Sequence, residues 1–253
     1  MTAQKIRLDK LLVDRSVAPT LERARALILA RVVKVNDAWP DKAGELVPVD
    51  AEIHIKGEDN PYVSRGGLKL AGALKEFGVN VEGIVALDVG ASTGGFTDCL
   101  LQAGAKKVYA LDVAYGQLAW KLREDKRVIV IERTNIRYYD GAALVEPIDL
   151  AVIDASFISL KNVIPAVLKF LADGSSILAL IKPQFEVEKE EVGKKGVVSD
   201  PALHERVLQE ISAFCESLNL EVQGTCASPI LGPEGNKEFF ILARKKNMTE
   251  TKA

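Results

Sequence analysis

Residues 87–96 read LDVGASTGGF, and this stretch decides the fold. The apolar run Ile84–Val89 predicts a buried strand, and the glycines after it predict a turn into a helix over Gly94–Ala103. Farther along the chain, apolar runs alternate with helical patterns as far as residue 244. This alternation is typical of an α/β domain with a doubly wound, mostly parallel sheet.

Seven strands are expected in this domain. They are Ile84–Val89, Lys107–Val113, Val128–Ile131, Leu150–Ile153, Ser176–Ile181, Leu220–Cys226 and Glu238–Leu242. Further helices are predicted through Leu118 and Leu122, over Asn162–Leu171 and over Asp200–Leu218, with Asp200 as N-cap. No helical pattern separates the last two strands, so the last strand of this Rossmann-like sheet is predicted to run antiparallel.

Residues 1–58 form a separate pattern, which predicts a small α+β domain. Helical spacing of leucines recurs twice, the second time after Thr20, and Val32–Val35 and Glu52–Ile55 predict a small hairpin-like sheet. Residues 59–65 are predicted to be a linker, residues 66–246 the α/β domain, and residues 247–253 a flexible tail.

The charge of the first domain differs from that of the whole chain. Residues 5–34 hold eight basic and three acidic residues, a balance of +5, whereas the 253-residue chain carries −2. The local excess indicates a nucleic-acid surface, and an ordinary solvated helix face is the alternative. The candidate RNA contacts are Arg7, Lys10, Arg23, Arg25 and Arg31, with Arg65 from the linker.

Composition excludes several classes of protein. With 48% hydrophobic and 27% charged residues the chain is globular rather than disordered. It has no apolar stretch of about 20 residues and no apolar leader, which predicts a cytoplasmic protein without membrane insertion. Three cysteines and two histidines give neither a disulfide framework nor a metal-ligand spacing, so no metal is expected.

The glycine loop indicates a nucleoside-bearing ligand. Its pattern, Gly90-x-Ser92-x-Gly94, departs from the dinucleotide fingerprint, and Asp112 about 20 residues later can accept hydrogen bonds from a ribose diol. S-adenosylmethionine has adenosine but no phosphate, and it satisfies both observations. The candidate cofactor contacts are Gly90, Ser92, Gly94, Gly95, Phe96, Asp112, Val113 and Asp154.

The same loop also matches the Gly-x-Ser-x-Gly elbow of serine hydrolases. That chemistry requires a histidine late in the chain, and the late histidine here is His204, which falls inside a predicted helix. We therefore disfavour a hydrolase and interpret His204 as a helix-surface residue.

Four charged residues are predicted to lie near the edge of the sheet where α/β proteins have their active sites. Asp154 and Lys182 end two predicted strands, Glu238 begins the antiparallel last strand, and Lys69 lies on the helix that enters the domain. Each residue also has an ordinary alternative: an aspartate at a strand end is often a helix N-cap, and a lysine there is often simply solvated.

Longer strings of sequence resemble known families. RLDKLL at residues 7–12, with Arg23-Ala24-Arg25, resembles the S4 RNA-binding module. VSRGGLKL at residues 63–70, LDVGASTGGF and IKPQFE at residues 181–186 are together similar to the TlyA family, which combines an S4 domain with an FtsJ-like methyltransferase domain. The resemblance spans residues 5–244, nearly the whole chain.

The resemblance implies a function and a set of catalytic residues. The family's Lys-Asp-Lys-Glu tetrad falls on Lys69, Asp154, Lys182 and Glu238. It implies an S-adenosylmethionine-dependent 2′-O-methyltransferase acting on cytidine ribose of 16S or 23S rRNA, or both, within ribosomal subunits. Many members are labelled hemolysins, so a membrane-active protein is one alternative, and a non-catalytic S4-type RNA-binding protein is the other. In such a reaction Lys182 would hold or deprotonate the ribose hydroxyl, and the sequence leaves open which of the two it does. The sequence also does not say which nucleotide or which subunit is modified.

Overall fold

The structure is a computed structural model that describes residues 5–18, 20–29, 31–55 and 60–247. Residue 59 of the predicted linker and residues 248–253 of the predicted tail lie outside this part of the chain. The chain divides into two compact units, Met1–Asp59 and Asn60–Ala253.

The first unit packs two short helices with two small antiparallel ladders. Its elements are β1 (Lys5–Arg7), α1 (Leu8–Asp14), α2 (Leu21–Leu29), β2 (Val33–Val35), β3 (Leu46–Pro48) and β4 (Ile53–Ile55). The predicted helices and the β2–β4 pairing are confirmed, and Thr20 Oγ1 accepts a hydrogen bond from Arg23 N at 3.1 Å as an N-cap does. The β1–β3 ladder was not predicted, because Lys5–Arg7 contains one apolar residue between two basic ones and so has no apolar run.

The second unit is built on a seven-stranded sheet. The strands are β5 (Val85–Val89), β6 (Lys107–Leu111), β7 (Val128–Ile131), β8 (Ile148–Ile153), β9 (Leu171–Ile181), β10 (Leu220–Ala227) and β11 (Phe239–Lys245). The helices are α3 (Gly66–Phe77), α4 (Gly95–Gln102), α5 (Trp120–Arg123), α6 (Leu160–Leu168) and α7 (Pro201–Ser217). Asp200 caps α7 as predicted, since its side chain accepts a hydrogen bond from Ala202 N.

The strand order is β10-β11-β9-β8-β5-β6-β7. Only β11 is antiparallel to its neighbours, β9 and β10, so the predicted antiparallel last strand is confirmed. Alternate residues of β5 pack on opposite faces of the sheet: Leu87 belongs to the core under α6 and α7, whereas Ala86 belongs to the core under α3 and α4. Burial on both faces explains why the strands appear as continuous apolar runs.

The largest boundary difference from the prediction lies between α6 and β9. Helix α6 ends at Leu168 and β9 begins at Leu171, whereas the sequence predicted helix up to Leu171 and a strand only from Ser176. The first part of β9 contains Asp173 and the left-handed Gly174, and the ladder with β8 is irregular there. These polar residues interrupt the apolar run by which the strand was recognised.

Within the described ranges, no helix is both long enough and apolar enough to cross a membrane.

Candidate active site

The carboxyl edge of the sheet collects the charged residues that the sequence singled out. Asp154 directly follows β8, Lys182 directly follows β9, and Glu238 directly precedes β11. Because β11 is antiparallel, its first residue lies at the edge where the parallel strands end. Phe239 pairs with Ile181, which brings Glu238 next to Lys182 across the ladder.

These residues form two ion pairs. Lys69 Nζ lies 2.5 Å from Glu238 Oε2, with both side chains buried, and Lys182 Nζ lies 2.6 Å from Asp154 Oδ1. The Lys69–Glu238 pair joins α3 to the start of β11. The other pair joins the ends of two adjacent strands. The structure thus brings all four predicted residues together, as two charge-neutral pairs.

Lys182 has further neighbours that the sequence did not suggest. Its Nζ donates a hydrogen bond to Ser156 Oγ at 2.8 Å and lies 5.9 Å from the ring centre of Phe185. The Asp154 contact, although shorter, is a charge contact without hydrogen-bond alignment. Ser156 is therefore the aligned hydrogen-bond acceptor for this ammonium.

The loop between β8 and α6 is held in place from the segment after β9. Glu186 accepts hydrogen bonds from Ser159 Oγ at 2.6 Å and from Leu160 N at 2.8 Å, and burial raises the pKa of this carboxyl. Phe157 packs on Phe185 at 5.2 Å between ring centres, is 90% exposed, and has a φ of +63°. Such a conformation is strained for a bulky residue and typically occurs at functional loops.

A cavity of about 480 Å³ opens beside this loop, between the ends of β5, β6 and β8. Asp112 lies on its wall and accepts hydrogen bonds from Ser92 N and Ala114 N, both at 2.7 Å. The carboxylate therefore braces the glycine loop and still has lone pairs for a ribose diol. The predicted cofactor contacts that line this cavity are Gly90, Ser92, Asp112, Val113 and Asp154.

The glycines do not all face the cavity. A Cβ on Gly90, whose φ is +89°, would lie 2.5 Å from Asp154 O, so this position requires glycine because two backbone segments meet there. Gly94 faces Leu122 and Leu118 instead of the cavity. The structure thus places Gly94 away from the predicted ligand contact, and its missing side chain makes room for the protein's own core.

A second cavity, of about 390 Å³, lies on the other side of the glycine loop. Gly95 and Phe96 line it together with Arg65, Lys69 and Asp154. Phe96 is mainly a core residue, since it is buried and stacks on Phe240. Asp154 lies on the walls of both cavities, so a ligand in each would meet at this residue.

Asp88 is a buried acid next to the glycine loop that sequence reasoning missed. It is fully buried at the end of β5, and its Oδ2 accepts a hydrogen bond from Thr97 Oγ1 at 2.7 Å. Its Oδ1 has no hydrogen-bond partner in the described part of the chain. Burial, with smaller contributions from the nearby Asp154 and Asp112, raises the pKa of Asp88 to about 7. An acid inside an apolar strand, two residues before a glycine loop, was the available signal.

Two arginines stack on exposed tyrosines in this unit. The Arg133 guanidinium lies 4.1 Å from the ring centre of Tyr115, and that of Arg137 lies 5.1 Å from the ring centre of Tyr138. Both tyrosines are more than two-thirds exposed, and Arg137 lines the 480 Å³ cavity. Flat cations on aromatic rings are surfaces on which nucleobases stack.

In the first unit, two of the predicted RNA contacts flank one buried carboxylate. Arg7 and Arg25 lie 2.7 Å and 3.1 Å from Asp9 Oδ2, and these guanidiniums hold the pKa of Asp9 well below its usual range. Both arginine side chains are about half exposed. Lys10 is exposed, and Arg31 pairs with Asp41 at 3.5 Å. Arg65 belongs to the second unit, on the wall of the second cavity.

His204 does not lie on the helix surface, and that prediction was wrong. It is buried, its Nε2 is 2.8 Å from Val198 O, and its ring contacts Phe239 edge-on. The loop before α7 folds back over this face of the helix, and the helical period could not show it. Within the described segments, no cluster of three or more histidine, cysteine or acidic side chains could hold a metal ion.

Comparison with known proteins places these features in a family. The model of the FtsJ-like methyltransferases matches residues 62–245. A Bacillus subtilis (strain 168) protein, "Putative rRNA methyltransferase YqxC", is 50% identical over 242 residues, which are 95% of this chain and 86% of that protein. A Mycobacterium tuberculosis protein, "16S/23S rRNA (cytidine-2'-O)-methyltransferase TlyA", is 43% identical over 243 residues, 96% of this chain and 91% of that protein.

A solved structure is similar over both compact units. The structure titled "Putative hemolysin from Streptococcus thermophilus" is 43% identical, with a TM-score of 0.75, and the match covers 97% of this chain and 90% of that one. The similarity thus includes the small first unit as well as the sheet.

Proposed function

The chain belongs to the TlyA family of FtsJ-like methyltransferases, and we propose that it transfers a methyl group from S-adenosylmethionine to the 2′-hydroxyl of a cytidine in ribosomal RNA. The observation that carries the proposal is the position of the Lys182–Asp154 and Lys69–Glu238 pairs beside two cavities that share Asp154. The two cavities provide one place for a methyl donor and one for an acceptor.

The first cavity fits S-adenosylmethionine. Asp112 offers carboxylate oxygens to a ribose diol, and Asp154 places a second carboxyl group on the same wall, which suits a cationic ligand. When it is bound, this cofactor supplies a methyl group on a positively charged sulfur. The exposed apolar side chain of Val113 provides a wall for the adenine.

The tetrad would act on the acceptor. A ribose hydroxyl is a poor nucleophile, so it needs a group that holds its oxygen in line and takes or orients its proton. We assign this task to Lys182 Nζ, which lies 2.6 Å from Asp154, a residue on the walls of both cavities. The Lys69–Glu238 pair, with Arg65 on the same wall, would position the ribose and the adjoining phosphate. A carbon–oxygen bond would form at O2′ as the carbon–sulfur bond of the sulfonium breaks and leaves a neutral thioether. The hydroxyl proton would pass to Lys182 Nζ if that amine is neutral, and to solvent if it is an ammonium.

Two surfaces support an RNA substrate. The first unit presents the half-exposed Arg7 and Arg25 with the exposed Lys10, and the second unit presents the Arg133–Tyr115 and Arg137–Tyr138 stacks. Phosphates account for most of the affinity of such surfaces, and the aromatic stacks suit unpaired bases. Cytidine and the ribosomal subunits are proposed from the name of the M. tuberculosis relative. A ribosomal substrate implies a cytoplasmic enzyme. A non-catalytic RNA-binding protein would not need either ion pair.

Purified 30S and 50S subunits that lack the modification provide the test. The protein and methyl-labelled S-adenosylmethionine are incubated with each subunit, and the digested rRNA is analysed by mass spectrometry. We expect 2′-O-methylcytidine in at least one subunit. A label on a base, or no transfer to either subunit, would contradict the proposal.

A cofactor-site variant serves as the control. Asp112→Ala removes the charged acceptor for two hydroxyls, which costs on the order of 1.5–3 kcal/mol. Affinity for S-adenosylmethionine in calorimetry should therefore fall by roughly tenfold to a hundredfold, while RNA binding persists. Wild-type cofactor affinity in this variant would show that Asp112 does not bind the cofactor.

A further inference from the structure

We propose that Ser156 is a positioning residue for the methyl transfer, which acts by fixing the direction of the Lys182 amino group. This inference rests on the proposed function, because it concerns the hydroxyl acceptor of that reaction. Ser156 is an exposed residue on the wall of the 480 Å³ cavity, two residues after Asp154.

The geometry at the lysine nitrogen leads to this role. A tetrahedral amine nitrogen has three positions besides its carbon. Ser156 Oγ, at 2.8 Å, takes one of them, and Asp154 Oδ1 lies 2.6 Å from the nitrogen without hydrogen-bond alignment. A remaining position is directed to the substrate. It carries the lone pair if the amine is neutral and a third proton if it is an ammonium.

One contact alone would leave this direction undefined. The Asp154 contact lacks hydrogen-bond alignment, so rotation about the Cε–Nζ bond is limited mainly by the aligned bond to Ser156. Misplacing a reacting group by about 1 Å can cost a hundredfold in rate. Loss of the serine hydroxyl should therefore slow the chemical step without removing any group that binds the cofactor base or the RNA.

The backbone holds the serine in place. Directly after it, the chain turns through the left-handed Phe157, whose ring packs on Phe185. Two residues farther on, Glu186 binds Ser159 and Leu160. The loop is thus anchored on the segment after β9, the same segment that begins with Lys182. The hydroxyl and the ammonium are fixed to each other through both their side chains and their backbones.

The test is single-turnover methyl transfer to ribosomal subunits at saturating cofactor. Ser156→Ala should lower this rate by roughly tenfold to a hundredfold, and because the cofactor is saturating, the loss does not depend on any change in its affinity, which is measured alongside. Ser156→Thr keeps a hydroxyl at an exposed position and should retain most of the rate. Ser217→Ala, at the end of α7, removes an exposed serine whose hydroxyl bonds only to Phe214 O. This matched control should behave as wild type.

A double-mutant cycle separates this role from a structural one. In the Lys182→Ala background, Ser156→Ala should have no further effect, because the donor of its hydrogen bond is already absent. An equal loss in both backgrounds, or a wild-type rate for Ser156→Ala, would overturn the proposal. A wild-type protein that transfers no methyl group to either subunit would instead contradict the proposed function.

Discussion

Asp9 in the first unit and Asp88 in the second are both fully buried, yet their surroundings are opposite. Two arginines and a backbone N–H surround Asp9, and its pKa lies well below the usual range. Asp88 has one hydroxyl donor, and burial raises its pKa to about 7. Burial alone therefore does not decide the charge of a carboxylate; its partners do.

The difference separates two uses of a buried acid. Asp9 holds two half-exposed guanidiniums side by side at the surface, where excess positive charge can meet a polyanion. Asp88 lies under the glycine loop in a region that is rich in oxygen acceptors, where a ligand can bring the positive charge. One region is organised to bind RNA phosphates and the other to accept a cationic cofactor next to the catalytic pairs.

The largest effect is expected in the second region, at Lys182. Lys182→Ala removes the group assigned to the ribose hydroxyl, and a positioned acid–base group typically contributes about 10²–10⁴ in rate. Lys182→Arg keeps the charge but cannot lose its proton. It should be as inactive as the alanine variant if Lys182 is a base, and partly active if Lys182 only orients the hydroxyl.

Single-turnover rates measured alongside cofactor and subunit affinities distinguish these cases. Near-wild-type turnover by Lys182→Ala would show that Lys182 does not take part in methyl transfer and that this region is not the catalytic one.

Stability should separate the two regions next. Lys69→Met leaves the buried Glu238 carboxylate without its cation, and breaking a buried pair in this way costs about 3–5 kcal/mol. Arg25→Ala should cost less than about 1 kcal/mol, because that guanidinium is half exposed and Asp9 keeps Arg7. Urea unfolding of both variants measures the difference. Equal losses of unfolding free energy in the two variants would show that Asp9 depends on Arg25 as strongly as Glu238 depends on Lys69.

Asp88 predicts a pH-dependent difference in stability. Its pKa is about 7 in the folded protein and about 3.9 in an unfolded chain. Between these values the folded state holds a proton that the unfolded state lacks, so its contribution to stability falls as pH rises from about 4 to about 7. Asp88→Asn keeps an acceptor for Thr97 and has no such dependence. The variant should match wild type near pH 4 and exceed it by roughly 2–4 kcal/mol at pH 8.

Urea unfolding between pH 4 and pH 8 tests this expectation. A constant difference across the range would show that Asp88 is charged in the folded protein at every pH, as Asp9 is.

The smallest effect is expected at the surface of the first unit. Lys10→Ala removes an exposed cation that does not support Asp9, and each lost phosphate contact lowers the log–log salt slope of RNA binding by roughly 0.7–0.9. The control is Lys126→Ala. Lys126 is an exposed lysine just before β7, so it lies at the edge of the sheet opposite the catalytic pairs. Filter binding at several salt concentrations should show a shallower slope for the first variant only. Equal slopes for Lys10→Ala and wild type would argue against a phosphate contact there.

The sequence predicted what depends on local pattern. Buried strands on both faces of the sheet, the antiparallel β11 and the strand-end positions of Asp154 and Lys182 all follow from apolar runs and the residues that end them. The polar first part of β9 and the three-residue β1 were not predicted, because neither contains an apolar run.

Contacts between distant segments were not predictable. His204 is buried because a loop six residues earlier folds onto it, and Ser156 contacts a lysine 26 residues away. The lack of a hydrogen-bond partner at Asp88 Oδ1 and the contacts of two arginines with Asp9 likewise depend on tertiary structure. A single sequence shows which residue types are available, whereas partners and burial depend on the assembled fold.

The position of β11 has a consequence for how the protein folds. This strand lies between β9 and β10 and completes the sheet, and the Lys69–Glu238 pair that it brings spans 169 residues. Contacts of such long range form late, because closing a long loop costs entropy before any contact repays it. The walls of the 480 Å³ cavity come from β5, β6 and β8, which are adjacent in the sheet without β11. A refolding chain should therefore recover cofactor binding before methyl transfer, and an intermediate without β11 would expose two open sheet edges to aggregation.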